Sequence, residues 1–164
     1  MRIFPARVML GLVLIPAFAL AGCSPSVDVG KTIRVAQVTT GWFDAGIVDG
    51  KNKLVPSATF SVTNTGTEKL SALQVFTVFK LVGESEELGS SLVVLRGKEA
   101  LGPSATSKPI SVRANWGFTG EQPRAQMLMS SYFKDARMEV FAKFGAAPFV
   151  KIGESTIARQ LLTQ

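Results

Sequence analysis

The feature that most constrains this chain is a two-residue rhythm. Across Leu73-Gln74-Val75-Phe76-Thr77-Val78-Phe79-Lys80-Leu81-Val82, the residues Leu73, Val75, Phe79 and Leu81 share one face, while Phe76 and Val78 make the other face partly apolar as well. Successive side chains of a strand point to opposite sides, so this pattern predicts a strand that is covered on one face and sits in the middle of a sheet. The same alternation returns in Ala58-Thr59-Phe60-Ser61-Val62-Thr63 and, most clearly, in Ala136 to Phe144. Shorter stretches, Ile33–Val38, Leu92–Leu95 and Ile110–Arg113, read as strands too, and Phe149–Ile152 with Thr156–Ala158 reads as a last strand broken at Gly153.

Turn-forming clusters separate these runs. Asn64-Thr65-Gly66-Thr67 follows the second strand, the acidic stretch Gly83–Glu87 follows the third, and Gly145-Ala146-Ala147-Pro148 predicts a hairpin loop. One segment breaks the rhythm. In Pro123–Tyr132 the apolar residues Ala125, Leu128, Met129 and Tyr132 fall at helical spacing, and Pro123 suits a first helical position, where its missing N–H costs nothing. About seven short strands with one connecting helix predict an all-β fold, an antiparallel two-sheet sandwich.

Ahead of the strands lies a different kind of segment. Arg2 and Arg7 precede an uncharged, almost wholly apolar run from Val8 to Leu20, and the small residues Ala21 and Gly22 follow. A positive start, an apolar run of this length and small residues predict a secretory signal peptide over residues 1–22. A membrane-spanning helix needs about 20 apolar residues; this run is shorter and holds Pro16. The single cysteine, Cys23, comes next, and Ser24–Lys31 carries serine, proline and glycine with little to pack. That composition predicts a tether over residues 23–31 and one domain over residues 32–164.

Leu20-Ala21-Gly22-Cys23 resembles the lipobox of bacterial lipoproteins. The resemblance implies a diacylglycerol on the Cys23 sulfur, cleavage before Cys23 and acylation of the new amino group. One acyl chain holds weakly and two or more hold stably, which suits an anchor. Ser24 after the cysteine, rather than Asp, resembles an outer-membrane address, with the domain facing the periplasm. A second resemblance rests on Ala58–Gly66 followed by Leu73–Phe79. This strand, Asn-x-Gly turn and strand is similar to the core of immunoglobulin-like cell-surface modules of the FxLYD and CARDB type. It implies an immunoglobulin-like fold and no particular activity.

Composition narrows the chemistry. The chain has no histidine, and Cys23 is its only cysteine. No intrachain disulfide, His/Cys zinc site, Cys–His nucleophile or Ser-His-Asp triad can be built from it. Of 18 basic residues, Arg2 and Arg7 leave with the leader, so 16 bases face 12 acids in the mature chain and its net charge falls from +6 to +4. The bases are scattered, as on a solvated surface, and carry no nucleic-acid signature. Glu84, Glu86 and Glu87 cluster on a loop, where they read as solvated; their spacing fits no EF-type calcium loop, and no cleft is predicted to set carboxylates apart for glycoside hydrolysis. The expectation is a non-enzymatic protein with no cofactor, no metal and no catalytic residue, held in the cell envelope by lipid on Cys23 and serving a binding, scaffold or assembly role.

The candidate binding residues are Trp116 and Phe118, in Asn115-Trp116-Gly117-Phe118-Thr119-Gly120. A glycine-flanked tryptophan on a loop is a plausible anchor for a protein, peptide or glycan. The competing reading, favoured because large aromatics are mostly buried, folds both rings over the open end of the core. Strand addition along an open sheet edge is a third mode of partner binding, and an enzyme of unrecognised type ranks last among the functions.

Overall fold

The computed structural model describes residues 27–162, so the leader and Cys23 lie outside the described residues. The chain runs α1 (Val29–Thr32), β1 (Ile33–Val48), β2 (Lys51–Asn64), β3 (Leu70–Leu81), β4 (Glu87–Leu101), β5 (Ile110–Arg113), β6 (Phe118–Gly120), α2 (Arg124–Met129), β7 (Ala136–Phe144), β8 (Val150–Thr156) and β9 (Leu161–Leu162). One sheet has the order β5-β2-β1-β9, with β6 also paired to β2; the other has the order β4-β3-β7-β8. The two sheets face each other across a core in which Trp42, Phe60, Phe79, Leu73 and Met138 are fully buried. The fold is the two-sheet β-sandwich predicted from the alternation, and β3 is an inner strand between β4 and β7.

Several boundaries differ, each for a physical reason. The first strand does not stop at Val38 but continues to Val48. Its register against β2 shifts between Ala36 and Thr39 and again between Asp44 and Ile47. Gln37 and Gly46 take positive φ at these places, at 53° and 85°. Each irregularity resets the phase of the side chains, so one strand reads as several fragments. The β1–β2 turn is a local signal overlooked in the alternation: Asp49 and Gly50, at φ 49° and 75°, join the pair Val48↔Lys51. Two central residues with positive φ make the tight hairpin that Asp-Gly favours.

β8 runs from Val150 to Thr156, so the Thr156–Ala158 extension is corrected, while the break expected at Gly153 is a register shift within the strand, where Gly153 pairs with Val140 and Lys151 with Phe141. A β-carbon at Gly153 would lie 2.7 Å from Val35 Cγ2, so the glycine lets β8 approach β1 of the other sheet closely. Two short strands, β6 and β9, bring the total to nine among the described residues. Pro123 is the N-cap of α2 rather than its first residue. Residues 29–31, assigned above to a tether, form α1 instead. Asp28 caps this turn by accepting from Lys31 N–H at 3.3 Å, and Val29 is 3% exposed in the core.

The Asn64 turn is as the sequence suggests, with more work done by its side chain. Asn64 is 1% exposed; its amide donates to the Glu68 carbonyl at 2.8 Å and to Gly102 at 3.0 Å, and its Oδ1 accepts from Gly66 N–H at 3.0 Å. The side chain thus ties the β2–β3 turn to the end of β4, satisfying groups that burial would otherwise leave unpaired.

Thr77 is the opposite case. It points inward from the middle of β3, is fully buried, and its hydroxyl has no partner among the described residues. A buried unpaired hydroxyl costs about 1–3 kcal/mol. Thr77→Val, of nearly equal shape, is therefore expected to leave stability unchanged or raise it by about 1 kcal/mol in a urea melt. A clear loss would mean that the hydroxyl is paired in solution.

Candidate functional site

Strand polarity gives the sandwich two unlike ends. α1, the Asn64 turn and the β7–β8 loop lie at the end where the described chain begins. The β1–β2 turn, the 82–86 loop, β6, α2 and the segment up to β7 lie at the other.

The aromatic loop belongs to this far end, and its backbone is clamped from both sheets. After β5, Ala114 N–H donates to Pro56 O at 2.9 Å, and Asn115 and Trp116 N–H both donate to Leu88 O, at 3.2 and 2.8 Å. Lys53 Nζ donates to Asn115 O at 3.3 Å. At Gly117 the loop presses on β2 so closely that a β-carbon would sit 2.0 Å from Leu54 O. Only a residue without a side chain fits there.

These clamps send the two aromatic residues in different directions. Phe118 turns inward, its ring 5.6 Å from Trp42 and 4.5 Å from Phe133. Trp116 turns outward and is 68% exposed, with Lys53 Nζ 5.5 Å from its ring centre. Folding both rings over the core is therefore right for Phe118 alone. The tryptophan that fills this end of the core is Trp42, which the sequence reading passed over; it packs edge-on to Phe133 at 4.5 Å. Its own flank, Gly41-Trp42, is a close counterpart of Trp116-Gly117.

Other large apolar side chains crowd onto the same end. Met129 is 84% exposed, Tyr132 91% and Ile47 70%, whereas Met127 and Leu128 on the opposite side of α2 are buried. Scattered exposed apolar residues are ordinary, but these stand on elements of one end and are of the types that anchor partners. A hollow of about 210 Å³ lies between Phe118, Met127 and Tyr132. The frame is fastened by Arg159, whose Nε donates to Asp135 at 2.7 Å and whose Nη2 donates to Phe133 O at 2.8 Å. Arg124 pairs with Asp44 and joins α2 to β1. The Asp44 carboxyl is held below its ordinary pKa chiefly by that hydrogen bond, then by Gly46 N–H.

The acidic loop and the remaining clefts are arranged differently. Glu84 pairs with Lys134, while Glu86 and Glu87 are exposed. Among the described residues no three Cys, His, Asp or Glu side chains gather as metal ligands do. A cleft of about 350 Å³ lies between β4 and β5, with the buried Leu95, Leu101 and Ile110 and the exposed Lys98 and Lys108 among its lining. No described helix is long and apolar enough to cross a membrane.

No family model matches the chain, and no curated protein matches it in sequence. Among solved structures it is similar to part of a Bacteroides uniformis β-glucuronidase, at 12% identity and a TM-score of 0.42 over 76% of this chain; it spans only 12% of that enzyme's length. It is also similar to the ApaA protein from Bordetella pertussis, at 15% identity and a TM-score of 0.43, covering 77% of this chain and 92% of that one. A solution structure of an Arabidopsis thaliana protein matches at 12% identity and a TM-score of 0.45, over 90% of this chain and 91% of the other. All are distant likenesses, and none bears on activity, substrate or partner.

Proposed function

We propose that this chain is a lipid-anchored protein of the cell envelope, held by lipid on Cys23, that performs no catalysis and binds another envelope component. The outer membrane, with the domain facing the periplasm, is the proposed location. The anchor reading is supported by Leu20-Ala21-Gly22-Cys23 after a charged start and an apolar run. The binding reading is carried by one observation: Trp116 is 68% exposed on a backbone that two sheets hold still. A rigid, exposed aromatic loses little conformational freedom when a partner covers it, which is why such residues dominate binding energy. β1 runs from the chain entry to the far end, so Trp116 lies at the opposite end of the sandwich from the anchor and is left open to a partner. A glycan or small ligand stacked on the exposed Trp116 ring is the alternative.

The test is affinity capture with the intact lipoprotein beside its Trp116→Ala variant. Stability is expected to move by less than about 0.5 kcal/mol, as at surface sites, while the captured partner falls severalfold. Equal capture by both forms would remove Trp116 from the site. Loss of capture by the unaltered protein when free envelope oligosaccharide is added would select the glycan reading.

A further inference from the structure

The outward face of the β4-β3-β7-β8 sheet is unusual. A two-layer antiparallel sandwich commonly turns a polar face to water. Here Leu92, Phe76 and Phe141 stand in register across β4, β3 and β7. The Phe76 ring lies 6.5 Å from Phe141 and 5.7 Å from Phe149. Leu92 is 54% exposed, and Val94 and Phe149 are each 39% exposed. A connected patch of this kind marks a surface that meets something apolar.

The polar groups around it are mostly cationic. Lys143 Nζ lies 5.0 Å from the Phe149 ring centre. Next along the face, the nearly buried Glu139 is surrounded by Lys80 at 3.2 Å, Lys151 at 3.0 Å and Arg137 at 3.8 Å. Glu154 also pairs with Lys151, Glu87 stands opposite Lys80, and Arg96 continues the outward row of β4. Five cations thus meet three carboxylates. Aromatic and aliphatic side chains bordered by Lys and Arg are the composition of surfaces that settle into the headgroup region of a bilayer.

The chain entry lies at the same end of the sheet as this patch. α1 packs on β8, where a β-carbon at Gly30 would lie 3.1 Å from Val150 Cγ1; Val150 pairs with the core residue Ala142, so α1 sits at the same end of the sheet as Phe149 but toward its inner side. Only Ser24, Pro25 and Ser26 separate Cys23 from Val27. At about 3.5 Å per residue, a lipid on Cys23 is within roughly 14 Å of Val27. The bilayer is therefore held at the corner where Phe149 and Lys143 lie, far from Tyr132.

We propose that the outward face of this sheet, led by Phe149 and Lys143, lies on the anionic headgroup surface of the membrane that holds Cys23. This rests on the lipid-anchor reading above. It adds an orientation: the sandwich lies with one sheet toward the bilayer and presents its Trp116 end sideways and outward, rather than swinging freely.

The test uses the full chain, matured in cells and purified as the lipoprotein with Phe149→Cys, labelled with a nitroxide at that thiol and placed in vesicles of phosphatidylethanolamine and phosphatidylglycerol. A Tyr132→Cys form is the companion. The label at 149 is expected to be open to dissolved oxygen and shielded from an aqueous nickel chelate, and the label at 132 to be open to the chelate. Replacing phosphatidylglycerol with phosphatidylcholine, or adding Lys143→Glu with Lys151→Glu, should move the 149 label toward the aqueous pattern. Equal chelate access at 149 and 132 in the anionic vesicles would overturn the proposal. So would shielding of the 149 label from both reagents, which indicates a protein partner or a second copy on this face. Failure of the anchor itself reads differently: a free Cys23 takes a second label and the protein does not float with the vesicles, which removes the geometry on which the proposal stands.

Discussion

Trp42→Ala is expected to cost about 3–5 kcal/mol, the usual penalty for deleting a large buried aromatic. Trp42 is fully buried. Phe118 and Phe133 pack on it from β6 and from the segment after α2, so its ring joins the aromatic loop to the helix at the far end. Truncation leaves a cavity that two strands and a clamped loop cannot close. Single domains have total stabilities of about 5–15 kcal/mol, so the loss is a large share. The polar end of the indole contributes nothing to this: Nε1 is buried and has no partner among the described residues. Trp42→Phe should therefore cost far less than Trp42→Ala. Denaturant melts of the two variants beside Trp116→Ala check the assignment, because the exposed tryptophan should move stability by less than about 0.5 kcal/mol. Reversed effects at Trp42 and Trp116 would mean that the two rings have been given each other's places.

The second large effect is expected outside the sandwich. Cys23→Ala should abolish incorporation of radioactive palmitate and stop maturation, leaving an uncleaved or secreted chain. The reason is chemical: alanine has no sulfur to form the thioether that lipid attachment requires. Each buried methylene contributes about 0.8 kcal/mol, so losing whole acyl chains removes far more binding energy than any surface contact can replace. Domain stability should not change, since the first core residue described is Val29. Fractionation and palmitate labelling of the two forms, with a melt of the folded domain, separate loss of anchoring from loss of fold. A variant that is still labelled would exclude Cys23 as the lipid site.

How much of this was legible can be judged residue by residue. β3 and β7 were readable because their alternation is unbroken and because one covered face leaves little freedom of register. β1 was not, since the left-handed Gln37 and the Asp44–Ile47 irregularity shift its phase twice. The Asp49-Gly50 hairpin was a local signal and could have been found. The fates of Trp42 and Trp116 could not, because both sit beside a glycine. What separates them is the Leu88 carbonyl, 28 residues from Trp116 and in the other sheet, which fixes the loop backbone. The aromatic patch was half visible: Phe76 and Val78 already made the second face of β3 partly apolar. That Phe141 and Phe149 join Phe76 depends on pairings made only in the folded sheet.

The proposed location and the orientation on the bilayer both depend on a lipid at the Cys23 sulfur. The most direct measurement is the intact mass of the protein extracted from its native membranes, with fragmentation of its N-terminal peptide. The predicted result is a chain beginning at Cys23 that carries a diacylglycerol on sulfur and an acyl group on the amino nitrogen. A chain with an unmodified Cys23 thiol, or one beginning at another residue, would contradict it.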